Sequence, residues 1–228
     1  MTLKELQALL GIRGIECSDA QASLLESYMF YILSENEKTN LTAIKDKDEF
    51  MVRMIFDSAL PLTLTKFNKM KVLDIGTGGG FPGAVIDILT DAKVTMLDAT
   101  KKKINIINNF QGRVFKTVNA RAEEYALEHR EQYDIVIARA VSDLSIVMEL
   151  ALPLVKVGGY FIAMKGPGAD KEIIKACEAF KKLYAKVEKK EEIVLPGGDK
   201  RVNILIKKDR LTPSKYPRTY QEIKKKPL

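Results

Sequence analysis

A glycine-rich loop that directly follows a short apolar strand is the feature that most constrains this chain. Residues 71–83 read Lys-Val-Leu-Asp-Ile-Gly-Thr-Gly-Gly-Gly-Phe-Pro-Gly, so a strand at 71–75 runs into glycines that allow a sharp turn and a close approach to a ligand. A second apolar run, 93–98, ends at Asp98, whose carboxylate is placed to accept hydrogen bonds from a ribose. This order of strand, loop, helix, strand and acid predicts a site for a nucleoside cofactor.

The glycines can be aligned with two known motifs. Residues 78–83 match the Gly-x-Gly-x-x-Gly fingerprint of dinucleotide-binding proteins, with Asp98 at the expected distance. Residues 74–80, Asp-x-Gly-x-Gly-x-Gly, resemble instead the first motif of methyltransferases that use S-adenosylmethionine. We favour the second alignment because Gly76 directly follows the strand and the acid of the motif gains a role. A nicotinamide-dependent oxidoreductase remains the alternative, and glycine-rich turns also occur without a ligand.

Composition predicts a soluble protein. A chain of 228 residues with 46% hydrophobic residues can bury a core as one large domain, or as one domain with an appendage. The two cysteines, Cys17 and Cys177, are far apart in sequence, which is typical of a reducing cytoplasm. Residues 1–10 do not form a signal peptide, and no apolar run is long enough to cross a bilayer. We therefore expect a cytoplasmic protein without a membrane contact.

The positive charge is concentrated at the end of the chain. The net charge is +7, and residues 207–228 hold eight Lys or Arg against two acids. Pro213, Pro217 and Pro227 are expected to prevent regular structure there, so the segment is interpreted as an extended basic tail that tracks phosphates. A solubilising terminus is the alternative. Together with a nucleoside-cofactor site, the tail favours a nucleic-acid substrate.

Alternating patterns predict an α/β fold in three parts. Residues 1–69 form a helical extension, 70–207 a sheet domain with βαβ units, and 208–228 the basic tail. The predicted parallel strands are 71–75, 93–98, 113–118, 133–138 and 158–164, and a helix runs from about 169 to 183. Two further strands, 188–195 and 202–207, flank a Pro-Gly-Gly-Asp turn and form an antiparallel hairpin. Seven strands in this arrangement resemble the Rossmann-like, mostly parallel sheet of S-adenosylmethionine-dependent methyltransferases.

The carboxyl ends of the strands are where ligands bind in such a sheet. Residues 121–124 follow the third strand and are placed to frame an adenine. Arg139 follows the fourth strand and interrupts an apolar run, where a charge needs a partner or a ligand. Lys165 follows the fifth strand, and for this residue a simple surface charge is the alternative.

Missing motifs narrow the reaction. The fourth strand is not followed by the Asn/Asp-Pro-Pro-aromatic loop common in amine methylation, and neither cysteine lies at a strand end as a nucleophile. The only histidine, His129, lies in a polar stretch, which argues against histidine base catalysis. A purine nitrogen such as guanine N7 needs no base, because it is already nucleophilic and carries no proton. No metal site is expected either.

Motifs along nearly the whole chain occur in the order of one family. They are Asn40 to Ala43, Arg53 with Asp57 and Ser58, 74–83, 121–123, 138–140, Lys165 with Gly166, Arg201, Thr212 with Pro213, and 216–218. The chain resembles the bacterial small-subunit ribosomal RNA guanine-N7 methyltransferases, the glucose-inhibited division B proteins. The resemblance implies a cytoplasmic enzyme that transfers methyl from S-adenosylmethionine to N7 of a guanine in 16S ribosomal RNA, in the small subunit or its precursor. We expect a monomer.

The motifs and the resemblance together give the candidate site residues. Those for the cofactor are Gly76, Gly78, Phe81, Asp98, Ala122, Glu123 and Arg139. Those for catalysis are Arg139, Asn40 and Arg201, and those for RNA are Arg53, Lys165, Arg201, Lys215 and Arg218. The chain departs from the family at Met54, where the family often has histidine. A non-catalytic RNA-binding protein with a vestigial pocket is a third hypothesis.

Overall fold

A seven-stranded sheet forms the centre of the protein. The computed structural model describes residues 1–39 and 41–228. The strands are β1 Lys71–Ile75, β2 Lys93–Asp98, β3 Lys116–Asn119, β4 Tyr133–Arg139, β5 Val155–Lys165, β6 Ala185–Val194 and β7 Lys200–Lys208. Their order is β3-β2-β1-β4-β5-β7-β6, with β1 to β5 parallel and β7 antiparallel to both of its neighbours. The predicted sheet and terminal hairpin are confirmed.

Helices cover both faces of the sheet. They are α1 Leu3–Ile12, α2 Asp19–Thr39, α3 Lys47–Phe50, α4 Asp57–Ala59, α5 Gly83–Leu89, α6 Lys101–Asn108, α7 Ala122–Glu128, α8 Leu144–Ala151, α9 Ala169–Lys175, α10 Cys177–Lys182 and α11 Tyr220–Lys225. A π-helix, Met51–Phe56, joins α3 to α4, and a 3₁₀ turn, Leu60–Thr63, follows where Pro61 cannot donate a helical hydrogen bond. The prediction of a single helix at 169–183 is wrong, because two short helices, α9 and α10, occupy this segment. None of the helices in the described residues is long and apolar enough to cross a membrane.

Successive residues of a strand face opposite layers, and both layers are buried. Val72 joins the core cluster that contains the N-terminal helices, and Leu73 joins the cluster that contains α7 and α8. The N-terminal helices therefore share a core with the sheet. Tyr28 of α2 is buried in that core, and its hydroxyl donates a 2.9 Å hydrogen bond to the carbonyl of Gly79. This contact positions the glycine loop.

The basic tail is anchored to the domain, and the prediction that its prolines prevent regular structure is wrong. Helix α11 forms within it and packs beside α8. Arg218 donates two hydrogen bonds to the fully buried carboxylate of Glu149 on α8, with Nε–Oε1 and Nη2–Oε2 distances of 2.8 and 2.6 Å. Lys208 is also fully buried, and its ammonium donates to Glu131 and to two backbone carbonyls. The tail docks because the buried carboxylate of Glu149 needs a cation, which Arg218 of the tail provides.

Candidate functional site

A cleft of about 710 Å³ opens beyond the carboxyl ends of β1, β4 and β5. Its volume lies in the range of small-molecule sites, roughly 300–1,000 Å³. Seven predicted site residues line it: Gly76, Gly78, Phe81, Arg53, Arg139, Lys165 and Arg201. The cleft thus brings together groups from the glycine loop, the N-terminal helices and the terminal hairpin.

Other predicted residues lie outside this lining. Asp98 ends β2 beside the glycine loop, and Ala122 and Glu123 open α7, which follows β3 at the same edge of the sheet. Lys215 and Arg218 lie instead around a smaller pocket of the docked tail, together with Lys182 and Leu228. Their contact with RNA stays a prediction. Asn40 lies outside the described residues.

Hydrogen bonds support the glycine loop on one side, and open space borders it on the other. Gly76 and Gly78 have φ angles of +69° and +60°, which residues with side chains rarely adopt. A Cβ on Gly76 would lie 2.9 Å from Cγ2 of Val141, whereas beside Gly78 the nearest heavy atom would be 4.0 Å away. Behind the loop, Asp74 Oδ2 accepts hydrogen bonds from the backbone of Gly83 at 2.8 Å and from the Thr77 hydroxyl at 2.5 Å. The open side of Gly78 therefore faces space that a ligand can fill.

Asp98 lies directly against this loop. Its Oδ2 accepts from the backbone of Gly78 at 3.0 Å, and its Oδ1 accepts from Thr100 at 2.8 Å. The end of β3 is paired with Asp98 through Asn119, so the first turn of α7 follows next along the sheet edge. The glycine loop, Asp98 and the first turn of α7 thus follow one another along the edge of the sheet at which ligands bind in this kind of fold.

Asp74 is fully buried beneath the loop. Burial raises the pKa of its carboxyl group to about 6, while the hydrogen bonds from Thr77 and Gly83 act in the opposite direction. Its other oxygen, Oδ1, has no hydrogen-bond partner in the described part of the chain. The loop is thus supported by a carboxylate whose charge is costly.

Three arginines of the cleft are held by two acids, and we call these five residues the Asp57 network. Arg201 Nε lies 3.1 Å from Asp57 Oδ2, and Arg139 Nη1 lies 3.8 Å from the same oxygen. Asp199 Oδ2 binds Arg53 Nε at 2.6 Å and Arg201 Nη2 at 3.7 Å. Sequence reasoning found the arginines and assigned no role to either acid. The available signal was Asp57 itself, an acid between apolar residues of a helical segment.

Arg139 finds a charged partner, as its apolar setting in the sequence predicts. Its side chain is 16% exposed. Besides Asp57, it donates to the carbonyl of Arg53 at 3.1 Å and to the Met54 sulfur at 3.3 Å, and its guanidinium lies 5.9 Å from the Phe81 ring centroid. Burial lowers the pKa of Arg139 and raises the pKa of Asp57, and in both cases their mutual attraction opposes the shift. The guanidinium is therefore rigidly placed between the loop and the hairpin.

Lys165 is paired inside the cleft and is not a simple surface charge. Its side chain is 9% exposed, and Nζ lies 2.7 Å from Glu172 Oε2. The same ammonium donates to the carbonyl of Ser142 at 2.5 Å, and Glu172 Oε2 also accepts from the backbone of Leu144 at 2.8 Å. Sequence reasoning missed Glu172, which lies in α9. In the described residues, no group of three or more His, Cys, Asp or Glu side chains is arranged to hold a metal ion.

The sheet order, the antiparallel β7 and the glycine loop after β1 define the fold of S-adenosylmethionine-dependent methyltransferases. The ribosomal protein L11 methylase of Lactobacillus delbrueckii shares it, with a TM-score of 0.52 and 15% identity over 69% of this chain and 79% of that chain.

The particular family follows from sequence comparison. The family model GidB, rRNA small subunit methyltransferase G, matches residues 21–200. Ribosomal RNA small subunit methyltransferase G of Halalkalibacterium halodurans is 40% identical over 100% of both chains, and that of Bacillus cytotoxicus is 42% identical over 96% of this chain and 95% of its own. The chain belongs to the GidB family. It is a methyltransferase, and this membership excludes the alternative of a nicotinamide-dependent oxidoreductase.

Proposed function

We propose that this protein methylates N7 of a guanine in 16S ribosomal RNA, in the small subunit or its precursor. S-adenosylmethionine is the methyl donor and S-adenosylhomocysteine the product. The observation that carries the proposal is a cleft that joins the glycine loop to three arginines. Its lining holds no histidine, because His129 stacks on Tyr125 at the end of α7, with ring centroids 3.8 Å apart.

A site without a general base suits this reaction. A bound S-adenosylmethionine would supply the electrophilic methyl group, and guanine N7 would need no deprotonation to accept it. The protein has no proton to remove, so its task is to orient the base in line and to exclude water. Arg139 and Arg201 present planar guanidinium groups, which suit phosphate oxygens and stacking on a base. We assign them to holding the target nucleotide, and Arg139 to the position next to the cofactor.

The cofactor site follows the edge from the glycine loop to α7. We assign the methionine moiety to Gly76 and Gly78, with Phe81 behind them, and the ribose to Asp98. Support comes from the open space beside Gly78 and from its 3.0 Å hydrogen bond to Asp98. The adenine belongs near the first turn of α7, at Ala122 and Glu123.

RNA contacts are assigned to the cations of the cleft mouth and of the tail. Arg53, Lys165 and Arg201 line the cleft, and Lys215 and Arg218 extend the positive surface along the tail. The catalytic assignment of Asn40 is supported by its sequence neighbours Leu41 and Thr42, which line the cleft. We further propose that the enzyme acts in the cytoplasm as a monomer, since the described cleft is complete within one chain. Sedimentation at micromolar concentration tests the monomer.

The test uses small subunits from a strain that lacks the enzyme. Purified protein and S-adenosylmethionine with a labelled methyl group should place the label on one guanine, and chain cleavage specific for 7-methylguanosine should map its position. Subunits from the parent strain, which are already methylated, are the control and should accept little label. Label on another atom or another base, or no label, would contradict the proposal.

A further inference from the structure

Glu172 is the cleft residue that the proposed chemistry leaves unexplained. Helix α9 carries it over the end of β5, and its Oε2 is fixed by the backbone of Leu144 at 2.8 Å and by Lys165 at 2.7 Å. Its other oxygen, Oε1, accepts no hydrogen bond from any residue that the structure describes. The side chain is 27% exposed and lines the cleft. A carboxylate that is fixed through one oxygen and unpaired at the other therefore lines the cleft.

The pair formed by Lys165 and Glu172 matches one edge of a purine. Lys165 Nζ uses two of its three donors on Ser142 and Glu172, so one donor remains, and Glu172 Oε1 is an unused acceptor. The six-membered-ring edge of guanine presents the complement, because its O6 accepts and its N2 amino group donates. Adenine presents an amino donor in place of O6 and a C–H group in place of the N2 amino group. A guanine edge therefore complements the free groups of the pair, whereas an adenine edge does not.

The position of the pair agrees with the position of the reacting atom. Guanine N7 lies on the five-membered ring, on the opposite side of the base from the N2 amino group. In the sheet, β4 separates β1, which leads into the glycine loop, from β5, which ends at Lys165. Neighbouring strands are about 4.8 Å apart, so the ends of β1 and β5 are separated by about 10 Å. A purine between them can direct N7 to the loop and its other edge to Glu172.

We propose that Lys165 and Glu172 form the subsite that recognises the six-membered-ring edge of the target guanine, with Glu172 Oε1 accepting from the N2 amino group. This inference rests on the proposed function, because it assumes that a guanine enters the cleft. It assigns to Glu172 the selection of the base, whereas the Asp57 network holds the nucleotide.

Replacement of Glu172 by glutamine tests the proposal directly. The glutamine oxygen should keep the Oε2 position, because the backbone of Leu144 and the ammonium of Lys165 both donate there. The amide NH₂ then takes the Oε1 position and opposes the guanine amino group, donor against donor. Inosine lacks that amino group and keeps O6 and N1–H. The substitution should therefore harm guanosine much more than inosine.

The experiment measures kcat/KM on small subunits reconstituted with ligated 16S RNA, which carries guanosine or inosine at the methylated position. Wild-type protein should prefer guanosine by about tenfold or more, and Glu172→Gln should bring the ratio to one or below. The matched control is Asp170→Asn on the same helix, whose carboxylate is 66% exposed, binds Lys190 and does not line the cleft. It should keep the wild-type ratio.

Each outcome decides between base recognition and a structural role. If Glu172 only supports Lys165 and Leu144, both substrates lose rate equally in Glu172→Gln and the ratio is unchanged, which overturns the proposal. A wild-type protein that does not distinguish the two bases also overturns it. If wild-type protein fails to methylate N7 of the guanosine substrate, the proposed function itself is wrong, so the two failures are distinguishable.

Discussion

The glycine loop and the Asp57 network meet in one cleft and are built in opposite ways. Apart from the contact with Tyr28, the hydrogen bonds of the loop described above join residues within 20 positions of each other, such as Asp74 with Gly83 and Gly78 with Asp98. The Asp57 network joins Asp57 to Arg201, which are 144 positions apart. The loop depends on backbone conformation, and the network depends on buried charges that tertiary contacts bring together. Substitutions in the two regions should therefore fail in different ways, the loop in cofactor affinity and the network in RNA handling and methyl transfer.

The largest effect is expected in the network. Arg139→Ala should lower kcat/KM for methyl transfer by about 10²- to 10³-fold, because the buried guanidinium that positions the target base is lost. The affinity for S-adenosylmethionine should fall much less, because Arg139 is only one of several groups assigned to the cofactor. Single-turnover methylation and calorimetric titration measure the two quantities. Arg113→Ala, which removes an arginine paired with Asp87 away from the cleft, is the control. Equal losses of transfer and cofactor affinity in Arg139→Ala would contradict the division between the two regions.

The next effect concerns the charge beneath the loop. The pKa of Asp74 is raised to about 6, so the folded state binds more protons than the unfolded state between about pH 4 and pH 6. This contribution to stability is complete below the unfolded pKa and is lost as the pH rises through 6. A shift of roughly two units corresponds to about 3 kcal/mol.

Denaturant unfolding of wild-type protein and Asp74→Asn across this range checks the expectation. The asparagine variant keeps an oxygen for Gly83 and has no charge to bury. Its free energy of unfolding, relative to that of wild-type protein, should rise from pH 4 to pH 7. Parallel curves would show that the charge of Asp74 is not costly in the folded protein.

A smaller effect is expected at the front of the loop. Gly76→Ala places a Cβ 2.9 Å from Val141 at a positive φ, so the loop must shift. Backbone strain of this kind costs about 1–2 kcal/mol, and cofactor affinity should fall by about tenfold. Gly158→Ala is the matched control, because it has a φ of +80° and open space around its Cβ, away from the cleft. If both variants bind S-adenosylmethionine alike, the loop is not the cofactor site.

The smallest effect is expected in the tail, on the affinity for RNA. Lys215 is exposed on the docked tail, and Lys215→Gln should weaken RNA binding only slightly, with the slope of log affinity against log salt reduced by about 1 or less. Lys4→Gln, an exposed lysine of α1, is the control and should leave the slope unchanged. Binding to small subunits at several salt concentrations gives both slopes. An unchanged slope in Lys215→Gln would remove this residue from the RNA contact.

The accuracy of the sequence predictions follows the same division. The predicted bounds of β1 and β2 are confirmed, because a buried run that ends in glycine or in an acid marks both ends of a strand. β3 begins at Lys116, three residues later than predicted, since residues 113–115 have no regular structure. Helix α11 was missed because the surrounding prolines lie outside it, and Thr219 caps its start. Local sequence signals therefore predicted the central strands β1 and β2 more accurately than the edge strand β3 and the tail helix α11.

Local sequence patterns could not predict the roles of the acids in the cleft. Nothing in the sequence around a carboxylate such as Asp57 or Glu172 reveals which cation pairs with it. Its role appears only when the chain brings Arg201 or Lys165 to it. The charged tail shows the same principle, because Arg218 pairs with the buried Glu149, which lies 69 positions away in the sequence.

The sequence by itself determined the strand, loop, helix and acid from Lys71 to Asp98, and with it the methyltransferase class. It could do so because those contacts depend on backbone conformations that glycine and alternating apolar residues specify locally. Only the tertiary structure decided which acid holds each arginine, where the tail docks, and that Glu172 faces the cleft. These contacts join distant segments, and β7 brings Arg201 to Asp57 only by inserting between β5 and β6.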